Sequence, residues 1–169
     1  MPTSQTAQGV DRTLLRTYLS DHLTGATGML HRLEHMRDSY QDLPIHDEVA
    51  QLTQDVREER SRLAEVIETL GLTRSRPKEA LARAGEVAGR LKLNGRLFSR
   101  SPLSPVLELE LLQSGVSGKS GLWRTLGTHA GHLGLDATEF EHLERQALEQ
   151  VETIVRCHRA LVGPAFRQG

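Results

Sequence analysis

The sequence predicts an all-α chain, a bundle of four long helices with a helical crossover. Three observations predict it. Leucine dominates the apolar inventory, with 27 residues against 13 Val plus Ile and only six aromatics. Leucine loses little rotamer freedom in a helix, whereas sandwiches and barrels draw on β-branched and aromatic side chains. Four segments also carry apolar residues in unbroken steps of three and four, the period of a helix face turned to a core. Finally, the connections run short, long, short, as two helical hairpins joined by one crossover would require.

The first segment steps through Leu15, Leu19, His22, Ala26, Met29, Leu33, Met36 and Tyr40. The second reads Val49, Leu52, Val56, Glu59, Leu63, Val66 and Leu70, with Asp47 expected as its N-cap and Gly71 as its stop. About six residues around Pro44 join the two, which implies antiparallel neighbours. The third reads Leu109, Leu112, Val116, Lys119, Trp123, Leu126, Ala130 and Leu133. The fourth reads Phe140, Leu143, Ala147, Gln150, Ile154, Cys157 and Leu161. Asp136 with Glu139 three residues on forms its expected capping box. Glycines at 25 and 28 on the first segment, and at 115, 118, 121 and 127 on the third, weaken a helix and predict a close approach of these two helices.

The crossover, residues 71–105, is long enough to traverse the height of the bundle. Within it, Pro77 to Lys92 carries Leu81, Ala84, Val87, Ala88 and Leu91, which predicts a short fifth helix lying outside the other four. The domain is expected over residues 10–163, with a disordered tail at 1–9 and a C-terminal tail at 164–169. Charge and composition exclude several classes. With 21 basic and 22 acidic residues the chain has a formal net charge of -1, unlike a strongly basic nucleic-acid binder. No apolar run reaches the roughly 18 residues of a membrane span, and Met1 to Gly9 lacks the order of a signal peptide. The single Cys157 forms no internal disulfide, so a reducing cytoplasm is the expected compartment.

In helix order and crossover length, over residues 10–163, the chain resembles the ferritin-like superfamily, and more narrowly a group of uncharacterised bacterial four-helix proteins of that fold. Diiron members carry a Glu on two helices and Glu-x-x-His on the other two, all inward. The resemblance therefore implies a place where iron or another divalent metal would sit. The polar residues at seam positions are His22, Glu59, Lys119 and Gln150, one per helix, and the hairpin arrangement brings them to a similar height. They match the ligand pattern poorly. Arg62 stands where Glu59 would need a histidine partner, Asp21 neighbours His22 in place of a Glu, and Gln146 and Gln150 occupy the fourth helix's inward positions. A metal reading would draw on Glu59, Glu110 and His22, yet Lys119 would set a cation beside the ions. The preferred reading is a buried polar layer in place of the diiron centre, in which Glu59 and Lys119 pair and His22 and Gln150 hydrogen-bond around them. No cofactor is then required.

Other constellations carry less. Glu139 and His142 make the one true Glu-x-x-His, and with His129 and His132 they suggest a zinc or nickel site at one end of the bundle. The blander reading, preferred here, is of exposed helix-end side chains. The paired His31 and His35 lack a third ligand. Val106 to Leu112 alternates like a strand before Gly115 to Ser120, in the order of a nucleotide-binding P-loop, but the first glycine of that motif is replaced by Gln113. Cys157 lies on an apolar seam, with His158 turned away round the helix. Between Arg74 and Arg100, eight basic residues face two acidic ones, a net +6 that leaves -7 for the rest. The favoured reading is a crossover held against an acidic bundle. The sharper one is an anion-binding strip of Arg83, Arg90, Lys92 and Arg96 for nucleic acid, although only Phe98 could stack on a base. The chain is thus expected to be a non-catalytic structural or interaction module. Nucleic acid is disfavoured, a homo-oligomer is compatible with the sequence, and the partner is unspecified.

Overall fold

The computed structural model describes residues 9–73 and 101–167. Among them are four helices and no strand: α1 (Arg12–Ser39), α2 (His46–Thr69), α3 (Leu103–Leu133) and α4 (Ala137–Ala165). The stretch from Val106 to Leu112, strand-like on paper, lies inside α3. Its buried residues there are Val106, Glu108, Leu109 and Leu112, the spacing of a helical face. The expected fifth helix and the basic residues Arg83, Arg90, Lys92 and Arg96 fall outside the described residues.

Local chemistry sets the helix ends. The Asp11 carboxylate accepts from the amides of Thr13 and Leu14 at 2.8 and 3.0 Å, opening α1. Asp47 is not the cap of α2. That position belongs to Ile45, which is buried and makes no side-chain cap bond, while Asp47 and Glu48 lie in the first turn. Burying an isoleucine has displaced a capping bond, and two carboxylates against the positive end of the helix dipole offset the loss. At the other end Gly71, at φ 62, lets its own amide reach Glu68 and that of Leu72 reach Ile67, with Leu72 buried beyond the turn. Asp136 caps α4 through Thr138, but the capping box is half made, because the Glu139 carboxylate is held by the Arg62 guanidinium of α2 instead. Helix α4 continues through Pro164 to Ala165, two residues beyond the expected domain limit.

Packing is most extensive between α3 and α4 and between α1 and α2, and sparser between α1 and α3 and between α2 and α4. The sense of each neighbouring pair is antiparallel. Tyr18 meets Thr125 and Arg32 meets Glu108 across α1–α3, while Arg62 meets Glu139 and Asp55 meets Gln150 across α2–α4. Helices α2 and α3 therefore run parallel on a diagonal. The C-terminus of α2 lies beside the start of α1, where Arg12 bonds the Leu70 carbonyl. The N-terminal part of α3 lies at the opposite end, beside Tyr40.

The core follows the four seams. All six seam positions of α2 and Leu70 just beyond it are buried, as are those of α3 up to Ala130. Trp123 and Phe140 stack at 6.2 Å and 18°, tying α3 to α4. The exception is the middle of α1, where His22, Ala26 and Met29 are half-buried while Leu15, Leu19, Leu33 and Met36 at either end are buried. That interruption marks a stretch where α1 and α3 stand apart.

Candidate functional site

Glu59, Lys119 and Gln150 occupy leucine-like positions of α2, α3 and α4 and are 4%, 7% and 4% exposed. The Lys119 ammonium donates to Glu59 Oε2 and to Gln150 Oε1. Gln150 Nε2 donates in turn to Glu59 Oε1 at 3.0 Å and to Asp55 Oδ2 at 3.4 Å. Lys119 thus reaches across the diagonal of the bundle between helices that are not neighbours. Burial pushes the Glu59 carboxyl above the usual carboxylate range and the Lys119 ammonium below its ordinary value, with their mutual attraction opposing both shifts. His22 takes no part in the layer. Its ring packs edge-on against Tyr18, with centroids 4.6 Å apart, and burial lowers its pKa against the pull of Asp21.

The donor set does not fit a diiron centre. An ammonium lies in hydrogen-bond contact with the one inward carboxylate of the layer, and Gln150 is a neutral amide. Glu110, the second carboxylate a metal reading would use, points outward and meets His158 Nε2 at 3.1 Å. At the bundle end, His132 and His142 are exposed and His129 is half-buried, while His142 Nδ1 lies 2.8 Å from Arg145. Among the described residues, no three His, Cys, Asp or Glu side chains stand together so as to hold a metal ion. Gly115 to Ser120 form helical turns in mid-α3, so no phosphate-cradling loop exists there. Burial pushes the Cys157 thiol up to about 11, the behaviour of a structural cysteine. No helix among the described residues is long and apolar enough to cross a membrane.

Two features escape the seam analysis. The first is a second buried carboxylate, Glu108, 2% exposed, whose oxygens accept from Arg32 at 2.8 Å and from the Tyr40 hydroxyl at 2.7 Å. Burial, and then the bond to this carboxylate, raises the Tyr40 phenol well above its ordinary value. The available signal was the four-residue step back from Leu112, which lands on Glu108 as naturally as the three-residue step lands on Leu109. The second is a cavity of about 570 Å³ between α1 and α3, floored by α2.

Four of the six glycines expected to draw α1 and α3 together instead line this cavity. Gly25 and Gly28 face it from α1, and Gly115 and Gly118 from α3. A Cβ added at Gly25 or Gly118 would meet nothing within 4 Å, and at Gly115 it would meet only the end of the Met29 side chain. Missing side chains therefore open space and do not bring two backbones into contact. The floor and walls are mostly carbon, from Met29, Val56, Leu63, Leu112 and Leu122, and the polar layer borders them through Glu59 and Lys119. No family model, curated protein or solved structure matches this chain.

Proposed function

We propose that the chain is a ferritin-like bundle, cytoplasmic and bacterial in type, in which a polar layer stands where the metal centre would be. On this reading it works as a non-catalytic structural or interaction module. The observation that supports it most directly is the Lys119 ammonium seated between Glu59 and Gln150. A cation fixed in that position opposes a second cation by direct repulsion in a medium that screens poorly. The pairing of antiparallel neighbours with a parallel α2–α3 diagonal is what a ferritin-like crossover would produce, and it supports the family reading. Among the described residues the thiol is buried and His22 stands outside the layer, which agrees with a structural role for the layer.

The test is elemental analysis of protein purified from iron-supplemented cells, followed by anaerobic Fe(II) titration and measurement of oxygen uptake. The expected result is no stoichiometric iron and no iron-dependent oxygen consumption. Two iron atoms per chain would overturn the proposal in favour of a diiron oxidase or an iron-storage protein.

A further inference from the structure

The cavity between α1 and α3 is the feature that the bundle's own packing leaves unexplained. Asp21, Ser114 and Gly118 on its wall are exposed, so it is a groove open to solvent along one side, and it has the volume of a small-molecule site. Its shape is elongated. The α1 wall runs from Tyr18 to Arg32, a rise of roughly 21 Å at 1.5 Å per residue. Glycines inside helices are destabilising, and at Gly25 and Gly118 no protein atom comes near enough to require one.

One cation on the wall lacks a carboxylate partner among the described residues. Trp123 contributes to the wall, but its indole N–H, which has no acceptor, is sealed from the cavity. Arg60, half-buried at the cavity edge, is bonded through Nε to Thr27 Oγ1 at 2.9 Å and pairs with no carboxylate among the described residues. The other two cations on the wall are matched, Arg32 by Glu108 and Lys119 by Glu59. Glu59 and Lys119 touch, and α2 and α3 run parallel there. Arg60 follows Glu59 in α2 and so lies beside the polar layer, with its guanidinium turned to Thr27 of α1.

We infer that this cavity binds a small amphipathic anion, with an unbranched apolar body lying along the glycine-lined walls and a carboxylate head accepting from the Arg60 guanidinium. An apolar body suits the carbon lining, and an anionic head answers the one cation on the wall that no carboxylate among the described residues matches. This goes beyond the reading of the polar layer and stands or falls separately, since iron binding and ligand binding are measured apart.

Trp123 is the chain's one tryptophan, so intrinsic fluorescence reports on the site directly. The experiment titrates the full chain with decanoate and with decanol, and calorimetry counts the sites. Decanoate is expected to change the emission saturably at one equivalent per chain and to bind more tightly than decanol. Arg60→Met should weaken decanoate by roughly tenfold or more and leave decanol unchanged, because it removes one charged donor and keeps the apolar stem. Gly118→Leu, which fills the space, should abolish binding of both probes. Gly25→Leu serves as a second filling variant, and circular dichroism verifies the fold of each. Non-saturable binding, equal affinity for the two probes, undiminished binding by a folded filling variant, or equal weakening of both probes by Arg60→Met would each overturn the inference.

Discussion

Replacing Lys119 with methionine keeps the apolar stem and removes the ammonium that Glu59 Oε2 and Gln150 Oε1 share. What remains is a carboxylate in a residue 4% exposed, with Gln150 Nε2 at 3.0 Å as its one close donor in the layer. A buried charge stripped of its partner typically costs about 3–5 kcal/mol. Protonation of Glu59 provides an escape that limits the penalty. From the ordinary carboxyl value of 4.5, protonation at neutral pH spans about 2.5 units at about 1.36 kcal/mol each, or about 3.4 kcal/mol. The sign follows from the direction of the shift. A folded-state pKa raised above the unfolded one gives a contribution fully present below 4.5 and lost as pH rises through the folded value. The deficit of the variant should therefore shrink on acidification, by up to about 1.4 kcal/mol per pH unit. Urea unfolding followed by far-UV circular dichroism at about pH 7 and about pH 5 measures both quantities. The triple variant Glu59→Leu, Lys119→Met, Gln150→Leu removes the whole layer and is expected to be neutral, or more stable by about 1–4 kcal/mol. A loss under about 1 kcal/mol in Lys119→Met, the range of a surface ion pair, would refute this account, as would a deficit indifferent to pH.

Gly25→Ala and Gly118→Ala should each stabilise the protein by about 0.5–1 kcal/mol in the same assay, since the new methyl meets no neighbour and the helix gains propensity. The Cys157 thiol, pushed up to about 11 and buried, should resist alkylation in the native state at mildly alkaline pH and react at once in denaturant. His22 has its pKa lowered by burial from 6.5, so its contribution to stability is full above that value and is lost as pH falls through the folded one. His22→Gln should accordingly lose less stability than the parent between about pH 6.5 and pH 5, as urea midpoints would reveal.

The seams were legible because a helix repeats its inward face, so that a charged or amide residue where leucine belongs stands out. Glu59, Lys119 and Gln150 were visible for that reason, and burial forces them together. His22 has the same periodic position, yet periodicity names a face and does not say what lies opposite, which here is the cavity wall. Glu108 was hidden because Leu109 satisfied the same step of the pattern, and its partners Arg32 and Tyr40 lie on another helix. Glycine spacing showed that α1 and α3 have bare faces but not the distance between them. That distance is set by the side chains around the bare patch. Capping residues were misjudged wherever tertiary structure outbid local chemistry, as when Arg62 took Glu139, 77 positions away, from its capping box.

The polar layer sits on the boundary between two helical hairpins, and this has a bearing on how the chain assembles. Within each hairpin the partners are joined by short connections, so loop closure is cheap and local pairing can come early. Docking one hairpin on the other must close the long stretch between Leu72 and Ser101, and it rests on sparser packing. A slip of one turn during docking would set Glu59 opposite Gly115 or Trp123 and leave an ammonium and a carboxylate each sealed in carbon. The wrong register is rejected electrostatically before side chains have interlocked. Amide hydrogens of α3 and α4 should then exchange only through global unfolding, while those of mid-α1 beside the cavity exchange through a smaller opening that parts the hairpins and unwinds that stretch of α1.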